Sequence, residues 1–535
     1  MTPRDQLLKM QRIILRQLKR EVTRLQGEAP PEIERYYQAY KREFRNYQKI
    51  SNKTELLKKV RESDIIFGAD FHPFAQSQRT HLRILRELVK HSRPVILALE
   101  AIDGKCQETV DSYLDGEIDD VSFLRKINYS QSWGFPWENY KILFELAKTY
   151  DIPVFGINES LLDKQNKDLS LRDAYSAERI SFLRQKFPTA IIYVIYGDLH
   201  LASSHLPRLT KKSLGKNHVT RFLTVFQDSE SLYWRLARRH LEERVDVLKL
   251  RGDAFCIVNS PPWIKWQAYL DFLEQSVDPE DGDREGDYGD QISHYIKILQ
   301  KVWKVEKCHS DFHVYTRGDI RLAQLMSKNL SKIVPKKELL RISNLVRQEK
   351  SFFIPNPSLF YFYSIGINQM VALVGQFIHA KLRHEKKIHL QFPRDFVVNI
   401  WIEAVGFFAS KLINNRRKSS QIDELPPTNQ TTLIALEQRL HEQIAIKTGR
   451  PMKAVRRHRS RKSGNYFDAA RIVGSVLGNR MYRAYQRGDL NTSKLRRWLE
   501  TPVDAGPAFS KFYVTILCEL KNVQIVKDQS HNERL

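Results

Sequence analysis

The sequence has little cysteine. Its four cysteines, Cys106, Cys256, Cys308 and Cys518, lie far apart in a chain of 535 residues and form no CxxC pair. A disulfide framework or a cysteine zinc site needs clustered or regularly spaced cysteines. The sequence therefore suggests neither kind of site and favours a reducing compartment.

Several functional motifs are also missing. The sequence contains no Walker A motif, no GxGxxG and no GxSxG in a position where it would act, which argues against nucleotide-phosphate cradles and serine-elbow hydrolases. The amino terminus lacks the apolar core and cleavage site of a secretory signal, and no lipobox cysteine is present. We therefore predict a cytoplasmic protein, with peripheral association with a membrane as the alternative.

One uncharged stretch is long enough in principle to cross a bilayer. Residues 351–380 contain no charged side chain, but they include prolines, asparagines, glutamines and a histidine. These groups are costly in lipid. The stretch therefore predicts a buried helix of a soluble domain, and we expect no integral membrane span.

Positive charge is in excess. The chain has 87 Lys and Arg against 62 Asp and Glu, a formal net charge of +25. Such an excess raises the local concentration of anionic partners, which include nucleic acid, acidic lipid and anionic small molecules. The most basic run, 450–463, has no interleaved aromatic residues and matches no nucleic-acid motif, so we interpret it as a solvated loop and do not expect a nucleic-acid partner.

The length and an apolar content of 42% predict two or three domains. We predict a helical cap over 1–60, an α/β domain over 61–275, an acidic linker over 276–291 and a helical domain over 292–535. Aromatic residues at helical spacing near 36–44 are interpreted as packing of the cap. The linker faintly resembles a calcium loop, but Ile292 stands where the closing glutamate would be.

Strand-like and helical segments alternate through the second of these domains. This alternation predicts an α/β fold with a mainly parallel sheet flanked by helices, followed by a mostly α-helical C-terminal domain. The candidate strands are 64–69, 94–99, 152–157, 190–196, 221–226 and 254–258, and the candidate helices among them are 79–91, 137–150 and 171–187. Further candidate helices are 291–306, 319–333, 337–348, 358–383, 395–413, 429–447, 466–487 and 493–499.

Two of the predicted strands end in a carboxylate that is followed two residues later by a histidine. These endings are Asp70-Phe71-His72 and Asp198-Leu199-His200, and a third strand ends in Glu100. Ligands of open α/β sheets bind beyond the carboxyl ends of the strands, where such groups can meet. Imidazoles and carboxylates bind divalent metals and exchange protons near neutral pH. A lone strand-end histidine is more often structural, but the set predicts a functional site.

Two further segments allow a structural and a functional interpretation. The aromatic run 129–140, which ends in Tyr140, suits either a pocket for a large planar ligand or core packing, and a tyrosine hydroxyl can coordinate haem iron. Ser170 and Asp173 fit a capping box, whereas Arg172 between them could instead pair with a site carboxylate or an anionic ligand. The sequence leaves these alternatives open.

Taken together, the motifs over about 60–275 resemble the ChaN family, haem-binding members of the superfamily that includes the Tiki and TraB proteases and the erythromycin esterases. More loosely, 465–490 resembles the C-terminal portion of longer bacterial proteins of this type. The matching motifs are IIFGADFH at 65–72, LALEAI at 97–102, YLDGEIDDVSFL at 113–124, WGFPWENY at 133–140, IPVFGIN at 152–158 and YGDLHLASSHLP at 196–207.

This resemblance implies a cleft at the strand ends that binds haem or a metal-containing ligand in iron or haem handling. It implies that His72, Glu100 and His200 are the catalytic or divalent-metal residues. The alternative is a metal-dependent peptidase or esterase, and a third is an inactive scaffold that recruits partners through its helical half. The residues expected to bind the ligand, haem or another anionic small molecule, are Asp70, Tyr140, Arg172, Asp173, Asp198 and His205.

Overall fold

The computed structural model describes residues 2–159, 168–215, 219–276, 288–306, 311–317, 334–450, 452, 462–504 and 506–523. The chain divides into two compact units. We call residues 15–277 the N-terminal unit, and residues 1–14 with 278–527 the C-terminal unit. Most of the acidic linker and of the basic run, and the whole candidate helix over 319–333, lie outside the described residues.

An eight-stranded sheet forms the centre of the N-terminal unit as described, in the order β1-β7-β8-β6-β2-β5-β3-β4. The strands from β8 to β4 in this order run parallel, and β7 pairs antiparallel with both β8 and β1. The strands are β1 Lys49–Ser51, β2 Ile65–Asp70, β3 Val95–Asp103, β4 Val154–Asn158, β5 Ile191–Gly197, β6 Phe222–Gln227, β7 Val247–Lys249 and β8 Ala254–Ile257.

Helices cover this sheet, and the predicted α/β class with a mainly parallel sheet is confirmed. Strands β2 and β5 are buried along their whole length, which explains why their sequences are almost continuously apolar. The described helices over this part of the chain are α1 Pro3–Gln26, α2 Pro31–Glu43, α3 Lys53–Glu62, α4 Ala75–Leu88, α5 Gln107–Leu114, α6 Asp120–Lys126, α7 Tyr129–Ser132, α8 Trp137–Thr149, α9 Leu169–Lys186, α10 Leu206–Leu214, α11 Glu230–Arg238 and α12 Pro262–Ser276. Residues 3–14 of α1 belong to the C-terminal unit.

The strand register determines where the functional groups stand. Asp70, the last residue of β2, pairs with Gly197, the last residue of β5. On the other side of β5, Leu99 of β3 pairs with Ile195, so Glu100 follows at the same edge of the sheet. Three adjacent strands therefore bring polar groups to one place. The prediction that the third strand ends in Glu100 is wrong, because β3 continues to Asp103 and Glu100 lies within it. The short strands β1 and β7 were not predicted, because three residues carry too little alternation to be recognised.

The C-terminal unit is mostly helical, as predicted, but it also contains a small sheet. The prediction of one helix over 358–383 is wrong, because this helix begins at Ile367 and the residues before it form strands. Strand β10, Phe352–Ile354, pairs antiparallel with β11, Leu359–Phe362, which pairs parallel with β9, His313–Thr316. The described helices are α13 Tyr288–Trp303, α14 Lys336–Arg347, α15 Ile367–Leu382, α16 Phe396–Ile413, α17 Gln430–Thr448, α18 Ser463–Arg487, α19 Thr492–Glu500 and α20 Pro507–Glu519.

Glycines allow the central helices of this unit to approach closely. A Cβ atom on Gly478 of α18 would lie 2.4 Å from the carbonyl oxygen of Ala404 in α16, and one on Gly474 would lie 2.8 Å from that of Ile400. No larger residue fits there without moving a backbone. Among the described helices, α16 alone is long and apolar enough to cross a membrane, and 83% of it is buried inside the protein.

Candidate functional site at the carboxyl ends of the strands

Asp70 and His72 form a hydrogen-bonded pair at the end of β2. Nδ1 of His72 lies 3.0 Å from Oδ2 of Asp70, so this ring nitrogen carries a proton and Nε2 is left for other partners. Tyr140 donates to the same carboxylate oxygen at 2.7 Å, and Gln78 donates to the other at 2.8 Å. Burial opposes ionisation of Asp70, but the hydrogen bond and charge of His72 outweigh it and lower the pKa of Asp70 to about 2.

The imidazole of His72 lies among aromatic rings and keeps 19% of its surface exposed. Its ring centroid lies 4.5 Å from that of Trp133 and 4.9 Å from that of Phe135. Burial alone would lower the pKa of His72, but the bond to Asp70 and the charge of Glu100 raise it above the ordinary value. His72 is thus a polarised imidazole that stands partly open to solvent.

Glu100 lies beside His72 and is itself held by two donors. Its Oε2 lies 3.7 Å from Nε2 of His72 and accepts the backbone N–H of Gly197 at 2.6 Å. Its Oε1 accepts from Arg172 at 2.8 Å. A charged carboxylate that is almost completely buried needs such donors. Of the two interpretations of the 170–173 segment, pairing of Arg172 with a site carboxylate is the arrangement found.

His200 repeats the pattern of His72. Its Nδ1 lies 2.6 Å from Oδ1 of Asp173, and Tyr36 of α2 donates to the other oxygen of that carboxylate at 3.0 Å. The capping-box interpretation of Asp173 is wrong, because Asp168 caps α9 by accepting from the N–H of Ser170. Asp173 is instead fully buried and orients the imidazole.

The two histidines and Glu100 meet around Gly197. A Cβ atom on this glycine would lie 3.2 Å from Nε2 of His72, 3.3 Å from Oε2 of Glu100 and 3.4 Å from Cδ2 of His200. We call the space around this point the Gly197 cleft. Within the described residues, hydrogen bonds engage Nδ1 of each histidine and leave Nε2 on the cleft side without one. The sequence signal for the set was the two strand endings, but nothing in the sequence marked Gly197.

We expect Gly197→Val to lower the free energy of unfolding by about 1–3 kcal/mol, because its methyl groups need space that is already filled. The same substitution should lower the pKa of His72, since it buries Nε2 further and pushes Glu100 away. Denaturant unfolding and a histidine NMR titration measure the two effects. Gly366→Val is the matched control, because a Cβ atom there meets no heavy atom within 4 Å. An unchanged His72 pKa in Gly197→Val would contradict the arrangement.

The remaining predicted residues lie at the margins of this cleft. Asp198 accepts from Lys265 at 2.8 Å and is hydrogen-bonded to the buried Tyr40 of α2. His205 stacks on the ring of Tyr36 with centroids 3.9 Å apart, and burial lowers the pKa of His205. These contacts give both residues a structural partner. Tyr36 and Tyr40 were interpreted as packing residues of the cap, yet Tyr36 bonds to Asp173 of α9 and Tyr40 to Asp198, which follows β5.

Tyr140 does not present its hydroxyl to solvent. The side chain is buried, and its hydroxyl lies between Asp70 and Nδ1 of His72, 3.2 Å from the latter. Burial raises the pKa of Tyr140 far above its ordinary value, and the charge of Asp70 adds to the effect. In this arrangement the phenol orients Asp70 and His72, and its predicted role in binding a ligand stays a prediction.

A second layer of polar residues lies beneath Asp70. His81 is completely buried, with Nδ1 3.0 Å from the hydroxyl of Tyr193 and Nε2 3.1 Å from the amide nitrogen of Gln227. Since an amide nitrogen donates, Nε2 of His81 accepts and the ring is neutral. Burial lowers the pKa of His81 to about 4. The sequence did not single out this histidine, because it lies within a helix and not at a strand end.

The donor chemistry of the cleft suits iron or another borderline metal, because it offers imidazole nitrogens whose second nitrogen is bound by a carboxylate. Within the described ranges, no group of three or more His, Cys, Asp or Glu side chains is close enough to hold a metal ion as placed. The divalent site predicted at His72, Glu100 and His200 therefore stays a prediction.

Residues 56–165 match the family model described as haem-binding uptake, Tiki superfamily, ChaN. The match includes Asp70, His72, Glu100 and Tyr140, whereas His200 lies beyond it. Among solved structures, the chain is similar to one described as cofacial heme binding to ChaN of Campylobacter jejuni, with 12% identity and a TM-score of 0.26 over 33% of this chain and 86% of that one. No curated protein matches the chain.

Proposed function

We propose that the protein binds haem at the Gly197 cleft, with Nε2 of His72 as the iron ligand, because residues 56–165 match the family model of haem-binding ChaN proteins of the Tiki superfamily. His72 is the only one of the two cleft histidines that the family match includes. Haem bound there would supply an iron centre able to bind small ligands or exchange electrons. A role in iron or haem handling follows from this activity.

The observation that carries the proposal is the state of the His72 imidazole. Its Nδ1 is held by a buried carboxylate, its ring packs against Trp133 and Phe135, and its Nε2 faces Glu100 and Gly197. No hydrogen bond engages this Nε2 within the described residues. A carboxylate on the far nitrogen fixes the tautomer and raises the basicity of a metal-binding histidine. Flat aromatic side chains also suit a planar apolar macrocycle. The residues present therefore fit a haem group.

A variant of Tyr140 distinguishes ligation of the haem iron by His72 from ligation by Tyr140. Removal of its hydroxyl in Tyr140→Phe leaves Nε2 of His72 in place and Asp70 on its Nδ1. Hemin affinity should therefore fall by no more than about tenfold, the lower end of the range of about 10–100-fold for a lost outer-shell partner. A Soret titration of the purified protein with hemin measures the affinity. No Soret shift in the unaltered protein would remove the haem hypothesis. Loss of the band in Tyr140→Phe alone would assign the iron to Tyr140 and not to His72.

Hydrolysis is the second candidate, and the Asp70–His72 pair favours it. A carboxylate-bound imidazole with a free Nε2 can act as general base on water, and the neighbouring N–H of Gly197 and Arg172 hold Glu100 beside it. A divalent ion at His72, Glu100 and His200 is the other form of this alternative, in which Nε2 of His72 would bind the metal instead of acting as the base. The substrate class would be an amide or ester.

The pH dependence of such a reaction has a definite sign. General base catalysis needs neutral His72, and the pKa of this residue is raised, so the rate should increase with pH up to and through that raised pKa. Hydrolysis of p-nitrophenyl esters and a peptide pool, with and without chelator and added Mn²⁺ or Zn²⁺, tests it. An activity that survives in His72→Ala would contradict this role.

A further inference from the structure

The C-terminal unit contains a cavity that is separate from the Gly197 cleft. It lies among helices α14, α15 and α16, strand β10 and the segment 384–390, and it holds about 640 Å³ of empty space including its mouth. One side is apolar. The side chains that line this side are Ile342, Leu345, Phe352, Ile354, Ile388 and Phe467.

The other side of the cavity carries a buried guanidinium. The side chain of Arg383 is only 4% exposed. Its Nε donates to the carbonyl oxygen of His379 at 3.2 Å, and its Nη1 donates to Glu385 at 3.1 Å. In the part of the chain that the structure describes, no hydrogen bond engages Nη2. A buried guanidinium with unused donors is costly unless an acceptor is supplied.

The carboxylates near the cavity already have their partners. Oε2 of Glu385 faces Arg383 and His389, and its Oε1 accepts the backbone N–H groups of Lys386 and Lys387 at 3.1 and 2.9 Å. Burial opposes the charge of Glu385, but these bonds lower its pKa to about 2. On the polar side of the cavity, the charged group that still has a hydrogen bond to give is therefore the guanidinium of Arg383.

Glu403 is also engaged, since it accepts from Gln376 at 3.2 Å and lies 3.7 Å from Nε of Arg471. The side chain of Lys387 lines the cavity and is exposed, so it adds positive charge at the opening. The charged side chains of the lining balance, with Arg383 and Lys387 against Glu385 and Glu403, but both carboxylates already have partners, so a cation would meet no free carboxylate. An anion would meet Arg383 inside and Lys387 at the entrance.

We propose that this cavity binds an amphipathic monocarboxylate, with the carboxylate on Arg383 and a hydrocarbon tail or aromatic ring against the apolar wall. Guanidinium and carboxylate match as a two-pronged, charge-assisted pair. Pockets that combine an apolar wall with a few polar groups are the usual form of small-molecule sites. The site would act independently of the Gly197 cleft.

Isothermal titration of the full-length protein with octanoate and with benzoate tests the proposal and distinguishes a fatty from an aromatic acid. We expect one of these acids to bind at least about tenfold more tightly than its neutral analogue, octanol or benzyl alcohol, because the charge-assisted bond is lost in the alcohol. Arg383→Gln should weaken binding by a similar factor. Arg347→Gln, which removes a positive charge from an exposed position of α14 outside the cavity, should not change it.

Three results would overturn the proposal. The first is absence of binding of either acid at up to about 10 mM. The second is equal binding of an acid and its alcohol, a comparison that needs no variant and so does not depend on the folding of Arg383→Gln. The third is equal loss of affinity in Arg383→Gln and Arg347→Gln, which would indicate a general charge effect.

Discussion

Hemin affinity is expected to fall by about 100-fold or more in His72→Ala. Loss of an outer-shell partner of a metal-binding histidine typically costs about 10–100-fold, and loss of the ligand itself should lie at or above the top of that range. Asp70→Asn should weaken hemin binding by a factor within that range of about 10–100-fold. The amide oxygen of Asn can still bond to Nδ1 of His72, but it no longer supplies the negative charge that makes the imidazole basic. Soret titrations of both variants measure these affinities.

Two control variants make this result specific. His91 is exposed and lies in the same unit, so His91→Ala should bind hemin like the unaltered protein. His200→Ala removes the second imidazole of the Gly197 cleft but leaves the proposed ligand, so we expect a smaller loss than in His72→Ala. If His72→Ala binds within about threefold of the unaltered protein, His72 is not the iron ligand. A deeper loss in His200→Ala would move the ligand to His200.

Stability of the N-terminal unit should fall as the pH falls from 6.5 to 4, and His81 should account for about 3 kcal/mol of the loss. Burial lowers the pKa of His81 to about 4 from its ordinary value of 6.5. Between these values the unfolded chain binds a proton that the folded chain does not, so the free energy of unfolding decreases with falling pH. The loss is complete near pH 4, where folded His81 also becomes protonated.

Other titrating groups also change the stability of the N-terminal unit, and most do so in pH ranges that differ from that of His81. Asp70 has a lowered pKa, so its contribution is lost only as the pH falls from its ordinary value of 3.8 through about 2. His72 has a raised pKa, so its contribution is present below pH 6.5 and is lost above it. His205 also destabilises the folded state as the pH falls below 6.5, because burial lowers its pKa too. Part of the decrease in the free energy of unfolding between pH 6.5 and pH 4 should therefore persist when His81 is replaced.

Hydrogen exchange of the β2 and β5 amides reports the stability of this unit directly. In His81→Gln the difference in their opening free energy between pH 6.5 and pH 4 should shrink by about 3 kcal/mol relative to the unaltered protein. His91→Gln should leave that difference as it is, because the ring is exposed in the folded state. An equal pH slope in His81→Gln and the unaltered protein would show that His81 titrates normally.

Much of the Gly197 cleft was predictable because strand ends carry information. The runs before Asp70 and Gly197 are almost wholly apolar, which marks buried parallel strands, and a parallel sheet aligns their carboxyl ends. The groups after those strands therefore had to emerge at one edge. Glu100 followed from the same argument, applied to β3.

The partners of these groups could not be predicted from local pattern. Asp173 has the spacing of a capping box, and only the position of α9 against the sheet shows that it orients His200 instead. Tyr36 lies 137 positions before Asp173, and its helical spacing fits packing equally well. Local spacing constrains which residues share a face of one element, but not which face another element covers.

By itself, the amino-acid sequence determined the α/β class, the helical C-terminal region and the histidine and carboxylate endings of the strands, because these depend on periodicity along the chain. The tertiary structure alone decided that both imidazoles turn Nδ1 to a buried carboxylate, that Tyr140 bonds inward to Asp70, and that Arg383 lines a cavity with an unused donor. Those arrangements are contacts between distant segments, and their free energy depends on burial and hydrogen-bond geometry that exist only after the chain has packed.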